Sequence, residues 1–437
     1  LAAALAPLVV VAALLAPADA SAVTHLNYYG GPIMPSVTTY LVLWGASTDT
    51  TFQSVDEGLL SDLAADSGTT GNVFAMLPEY STKGLTGLKT GATTNQTLAY
   101  DQTYGGKFTI TPATCPGTVS CTIENTAIAN ELAAQVAAGK LPAPTGDGLT
   151  SAYIVLFPPL DKITAFGGSS GVNFCSYHFG KLINGGTTNL LYGVIPDNNS
   201  LYGSGSGCGE NATAVNNETS SLSHQLAELI TDPRVYTEAE TDIGWYETSN
   251  GEIGDICVTS GMEATNTING HSYIVQKEWS NKQNTCVANS TYQAPSGDFS
   301  STTSANSAGF TASGSSENGD KTIASYSWKF GDGATGSGAT PTHAYPAAGE
   351  YTVNLTIRDN LGFVKRVTHP VTVSAPPPGT GGGGGTPPSG GGGSSSGPAA
   401  PSSPTSTLKC RKGFKKKVVH GKPKCVRIHR HKAKHGH

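Results

Sequence analysis

The sequence predicts two folded units of different class: an α/β domain over residues 23–292 and an all-β immunoglobulin-like sandwich over residues 293–375. Three observations carry this division. In the first span, apolar β-rich runs alternate with segments of helical periodicity, the pattern of a layered α/β unit. In the second, aromatic and β-branched residues alternate with polar ones between short turns, the pattern of a sandwich. From Pro376 to Thr407 the chain is almost wholly Pro, Gly and Ser, which cannot bury a core and reads as a disordered tether.

In order, residues 1–22 (LAAALAPLVVVAALLAPADASA) form an apolar run ending in the small-x-small site Ala20-Ser21-Ala22. That reads as a secretory signal peptide, too short and too close to its cleavage site for a transmembrane anchor. Gly30-Gly31-Pro32 marks a turn, and Thr38 to Trp44 reads as a buried strand. Val55, Leu59, Leu60 and Leu63 recur at helical spacing over 52–65, and Ile128, Leu132 and Val136 do so over 124–139. KFTIT (107–111), SAYIVLFPP (151–159) and LLYGVIPD (190–197) read as further strands bounded by Gly, Asn or Pro.

Residues 221–233, SLSHQLAELITDP, read as a short helix. Leu222, Leu226, Leu229 and Ile230 form one buried stripe, Ser220 or Ser221 can cap the start, and Pro233 forbids continuation. His224 and Glu228, four apart, share a second face. Zinc hydrolases use this spacing in H-E-x-x-H, with the Glu after the first His as general base. Here that position holds Gln225, which cannot accept a proton at neutral pH. A third ligand is needed, and Asp255, Glu252 and His178 are the candidates. One imidazole and two carboxylates suit zinc and also harder divalent ions. Each of these residues has a plain structural alternative: His224 can bond a carbonyl, Glu228 can pair with an Arg, and Asp255 can cap a turn. Ser170 and Ser221 do not sit in a G-x-S-x-G elbow, and Gly167 to Gly171 do not lead a strand into a Lys-bearing helix, so neither serine hydrolysis nor a phosphate loop is implied.

In the sandwich span, Tyr326, Trp328 and Phe330 share one face of SYSWKF, and Tyr351, Val353, Leu355 and Ile357 share one face of EYTVNLTI. Trp328 is expected in the core, with Asp332 and Asp359 at turns. Beyond the tether, residues 408–437 carry twelve Lys and Arg and no acid, leaving 14 basic against 31 acidic side chains in residues 1–407. This basic Cys-flanked tail is expected to meet anionic cell-wall or surface polymers rather than nucleic acid, since it lacks interleaved aromatics and the chain reads as exported. The eight cysteines favour disulfides, with neighbour pairing (Cys115/Cys121, Cys175/Cys208, Cys257/Cys286, Cys410/Cys425) fitting the layout.

Two resemblances follow. YYGGPIM, YIVLFPP, CSYH, SHQLAELITDP, GWYE, GEIGDIC and VQKEWSN, in that order over residues 25–290, resemble the phosphate-induced protein/EXORDIUM family. The likeness is closer to its bacterial and fungal branch, which usually carries S-H-E-L-x-E-x-x-T-D-P. The resemblance implies a secreted, wall-associated α/β domain with a zincin-like helix, and Asp255 of GEIGDIC as the family-matched third ligand. YSWKFGDG…PTHAYPAAGEYTVNLTIRDNLG resembles a PKD domain, which implies binding of polysaccharide or protein. Together these readings predict a secreted, surface- or wall-associated binding or adhesion protein whose first domain carries a degenerate metal site at His224, Glu228 and Asp255. The alternative is a secreted zinc metallohydrolase of peptidase type using the same three residues.

Overall fold

The computed structural model describes residues 25–116, 120–159, 161–197, 211, 213–234, 242–258 and 261–376, together with the backbone of two later strands. The signal-peptide and tether readings fall outside these residues.

Five strands build the central sheet: β1 (Val37–Trp44), β2 (Gln102–Ile110), β3 (Ser151–Leu156), β4 (Tyr177–Ile183) and β5 (Thr188–Ile195), in the order β4-β5-β3-β1-β2. All neighbours run parallel except the edge strand β4, which is antiparallel to β5. Period-two alternation sends Leu41, Leu43, Ile154, Leu156 and Leu191 to one face and Val42, Trp44, Tyr153, Val155 and Tyr192 to the other, and both faces are buried.

Helices α1 (Thr50–Ala65) and α3 (Ala214–Thr231) cover the first face through Leu59, Leu60, Leu63, Leu222, Leu226 and Leu229. Helix α2 (Asn125–Ala137) covers the second through Ile128, Ala129 and Leu132. The result is a three-layer α/β/α domain. Asp49 caps α1 by accepting from Thr51 and Phe52 N–H.

Helix α3 differs from the expectation at its start. It begins at Ala214, so Ser220 and Ser221 lie within it and neither caps it; the preceding residue, Thr213, makes no side-chain cap bond. Residues 216–221 are polar, and the first two turns carry no apolar stripe. They are held helical by tertiary contact, with Thr219 Oγ1 donating to Ile274 O at 2.7 Å and Glu218 and Ser220 buried. The end is as expected, with Asp232 following the helix and Pro233 beyond it. Hairpin Glu263–Ile268/His271–Gln276 packs along α3, and the strands Glu278–Ser280 and Thr285–Val287 are joined by the Cys257–Cys286 disulfide to the 3-10 turn Asp255–Cys257. Cys115–Cys121 is also formed; Cys175 is disulfide-bonded, while Cys208 and Cys410 lie outside the described residues.

Residues 296–373 form two antiparallel sheets, of three and four strands, around Phe299, Phe310, Trp328, Phe330, Val353, Leu355 and Ile357. Trp328 is 1% exposed and donates its indole N–H to Gly338 O at 2.8 Å. Asp359 accepts from the N–H groups of Leu361 and Phe363, and Asp332 from that of Ala334, so both hold turns. The Asp359 turn reaches into the first domain. Leu361 and Phe363 belong to the α/β core, Leu361 O accepts from Tyr100 N, and Val364 N donates to Gly68 O.

The later strands, Phe414–Val419 and Lys422–Arg427, pair as an antiparallel hairpin in a separate unit. Among the described residues, no helix is long and apolar enough to cross a membrane.

Candidate functional site

Helix α3 crosses the sheet over Gly193 of β5, where a Cβ would stand 3.7 Å from Leu229 and 3.8 Å from Gln225. Gly193 pairs with His178 on β4. The crossing therefore sets the polar face of α3 beside the antiparallel edge of the sheet. A turn carrying Glu252 and Asp255 closes on the same face. Gly251 makes this possible with φ +95°, and a Cβ on Gly254 would lie 2.3 Å from His224 Nδ1. Gln276 pins the turn, donating from its amide to Gly254 O at 2.8 Å and from its N–H to Ser223 Oγ at 3.0 Å.

His224 Nε2 stands 3.1 Å from Glu228 Oε2 and 4.0 Å from Asp255 Oδ1. One donor atom from each of the three lies within 4.8 Å of the others. Ligands about 2.0–2.2 Å from a tetrahedral ion stand roughly 3.3–3.6 Å from one another, so the spacing suits a cation after small side-chain adjustments. Glu228 Oε1, buried, has no hydrogen-bond partner, which leaves it an unused acceptor. Asp255 Oδ2 accepts from Glu252 N–H at 3.1 Å, and its side chain is 38% exposed, giving the site one open side.

His178, Glu228 and Glu252 form a second cluster of the same dimension. The hydrogen bonds of His178 argue against a ligand role for it. Its Nε2 donates to the Asp232 carbonyl at 2.9 Å, and its Nδ1 faces Gln225 Oε1 at 3.2 Å. With both nitrogens against oxygens, the site favours the charged ring. Burial opposes this charge, but the hydrogen bond and charge of Glu228 outweigh it and raise the His178 pKa. Gln225 thus meets His178 while also lining the cavity over the cluster.

Electrostatics follow from burial. Burial alone would lower His224, yet Glu228 beside it, with Asp255 and Glu278, lifts it to about 10. Glu228 in turn is held at about 2, burial being overcome by His224 and His178. Burial raises Asp255 to about 6 and Asp232 to about 8, and holds Glu252 and Glu278 well above the usual carboxylate range. A divalent cation at His224 Nε2 would compete with the proton that Glu228 keeps there.

Of the residues expected from sequence, His224, Glu228 and Asp255 come together, Glu252 stands behind them, and His178 lies alongside. Ser170 does not join the cluster; its Oγ accepts from Ile163 N–H. Among the described residues, Glu228 pairs with the two histidines and with no Arg. Glu278 was missed. It is 1% exposed with neither oxygen hydrogen-bonded, and the polar string VQKEWSN gave no signal of that burial.

A cavity of about 590 Å³ opens over the cluster. His224, Gln225, Glu228 and Asp255 line it together with Ser220, Ser221 and Gln276, and Phe166, Phe174 and Val258 border it. Among the described residues, no Lys or Arg lines it.

Comparison with known proteins bears on the second domain. The chain is 35% identical over 109 residues to a microbial collagenase of Vibrio alginolyticus, a match spanning 25% of this chain and 13% of that protein. It is 48% identical over 58 residues to collagenase ColA of Bacillus cereus, spanning 13% and 6%. The chain thus covers only a small part of the length of either relative. Among solved structures, the PKD1 domain of Vibrio anguillarum Epp matches at 34% identity, over 20% of this chain and 99% of that one, with a TM-score of 0.19. Residues 292–375 match the PKD domain family, and this part of the chain is a PKD domain.

Proposed function

We propose that this is an extracellular binding protein of a cell surface or wall, in which an EXORDIUM-like α/β domain holds a divalent cation at His224, Glu228 and Asp255 without hydrolytic turnover. The observation that carries the reading is the placement of Gln225. It occupies the sequence position of a zincin base, cannot take a proton, and is committed to His178. Losing a positioned general base removes roughly 10²–10⁴ in rate. The PKD domain at 292–375, of a kind present in secreted collagenases and proteases, fits an extracellular protein and would add contact with polysaccharide or protein. The basic tail, residues 408–437, would add retention on anionic surfaces that weakens with salt.

The test is metal analysis of purified full-length protein alongside peptidase and esterase assays. Wild type should hold about one equivalent of zinc or another divalent ion and show no metal-dependent turnover. His224→Ala should lose the metal. Gln225→Glu should gain measurable hydrolysis if the remaining geometry is competent. Strong metal-dependent hydrolysis by wild type would instead favour the zinc metallohydrolase, with one of the buried carboxyls, Glu252 or Glu278, as its base. Absence of any bound metal would overturn the cation site.

A further inference from the structure

One buried carboxyl beside the cation site has no hydrogen-bond partner. Glu278 is 1% exposed, and neither of its oxygens is bonded. A carboxyl so placed costs free energy that an apolar residue would avoid. The backbone shows where it faces. Glu278 opens the short strand Glu278–Ser280, whose Trp279 N–H donates to Ile253 O at 3.0 Å, inside the turn that carries Glu252 and Asp255. Two residues earlier, Gln276 sends its amide to Gly254 O in the same turn, whereas Lys277 between them donates at the surface to Gly261 O. Alternation therefore puts Glu278 on the side of Gln276, toward His224 and Asp255. In keeping with this, His224, Glu228 and Asp255 are the charges that act on it. Its neighbours are committed elsewhere: Ser280 Oγ donates to Glu79 at 2.9 Å and the Tyr80 hydroxyl to Trp279 O at 2.5 Å.

Distance decides what Glu278 can do there. Donor atoms of His224, Glu228 and Asp255 fall within 4.8 Å of one another, and Glu278 is not part of that group. Its reach to an ion on those three ligands is through a water that the ion keeps. Ions differ in how many they keep. Zinc on three protein ligands is complete with one further position. Hard ions such as magnesium and manganese take octahedral shells, and magnesium gives up its water reluctantly, so on the same three ligands such ions keep several waters. Each retained water is a donor that needs an acceptor. Glu278 supplies two acceptor oxygens in a buried place, where a charge-assisted hydrogen bond is strong.

We infer that Glu278 is a specificity-determining residue of the cation site: by accepting from water on the ion, its carboxylate favours hard, oxygen-seeking divalent ions relative to zinc. This rests on the cation reading and adds to it the class of ion. Raw affinity of a nitrogen and oxygen site generally rises from manganese to zinc, so the mark of Glu278 is the size of that gap and not its sign.

The test uses full-length protein stripped with a chelator and titrated by calorimetry with manganese or with zinc. Wild type should take one equivalent of either ion, and His224→Ala should lose both. Glu278→Gln keeps the shape of the side chain and removes the buried acid, so the stripped variant should melt no lower than wild type. It should bind manganese about 10–100-fold more weakly, the usual cost of losing an outer partner of a metal site, and bind zinc within about threefold of wild type. Glu278→Asp, which keeps the charge on a shorter arm, should recover part of the manganese affinity. A purely structural role for Glu278 would weaken both ions alike. Equal losses for the two ions, or unchanged manganese affinity in Glu278→Gln, therefore overturns the inference, and the cation reading survives either result if His224→Ala still abolishes binding. A wild type that takes up neither ion overturns both.

Discussion

Asp161 shows what a single unpaired carboxyl does in this fold. It is fully buried at the start of a strand beside Cys121, and neither carboxyl oxygen has a hydrogen-bond partner. Burial pushes its pKa to about 7 from the ordinary 3.8. An acid raised in this way is favoured in the fold only while protonated. Its effect is absent below about pH 4, and stability is lost as pH rises from there to about 7, with no further change above. Asp255, raised to about 6, and Glu252 and Glu278, raised well above the usual carboxylate range, act in the same direction, so the contribution of Asp161 is read as a difference between proteins. Asp161→Asn should match wild type near pH 3.5 and exceed it at pH 7.5 by on the order of 1–3 kcal/mol. Urea unfolding at the two pH values measures this. A difference that does not grow with pH would mean the carboxyl is solvated or paired.

At the scale of elements, the site is made by the docking of α3 against one turn. That turn carries no apolar periodicity, yet it supplies Asp255 and is held by Gly254, Gln276 and the Cys257–Cys286 disulfide. Gly254→Ala would drive a methyl group into the His224 ring, a clash relieved only if the turn or that ring shifts, and either shift spoils the ligand spacing. It should cost about 1–3 kcal/mol in unfolding free energy and abolish cation binding, whereas Gln225→Ala should leave the ligand cluster intact. Calorimetry with metal analysis on both variants separates the two effects. The same contrast explains what was legible beforehand. The stripe Leu222, Leu226, Leu229 and Ile230 announced the lower part of α3, and His224 and Glu228 followed from its period. The alternation in β1, β3 and the PKD strands announced sheets, because burial on one or both faces writes itself at period two. The first two turns of α3 and the role of Glu278 were not legible. Their conformation and burial come from contacts with residues 50 or more positions away, such as Thr219 with Ile274, and single-residue propensity carries no trace of such contacts. The engagement of His178 with the Asp232 carbonyl was hidden for the same reason.

For the molecule as a whole, the two domains were expected as beads joined near residue 293, and the sandwich does have its own core around Trp328. Truncating that residue to Ala should cost about 3–5 kcal/mol. The contact between domains alters how this loss spreads. The Asp359 turn sends Leu361 and Phe363 into the α/β core, where Phe363 is fully buried and meets Tyr100 and Tyr292 at centroid distances of 6.5 and 5.2 Å. Backbone bonds from Tyr100 to Leu361 and from Val364 to Gly68 close the seam, and Arg358 lies 3.5 Å from Asp101 across it. Apolar side chains buried in a neighbour's core couple the stabilities of the two units. Phe363→Ala leaves the core around Trp328 untouched but opens a cavity in the first domain, and should cost about 3–5 kcal/mol there. Calorimetry of wild type should therefore give overlapping, coupled transitions. In Phe363→Ala the α/β transition should move to lower temperature while the PKD transition moves little. A fragment ending at residue 292 should melt lower still, because it exposes the whole seam. If Phe363→Ala lowers only the PKD transition, or if the fragment melts with the intact protein, the turn is a surface contact and the domains are independent.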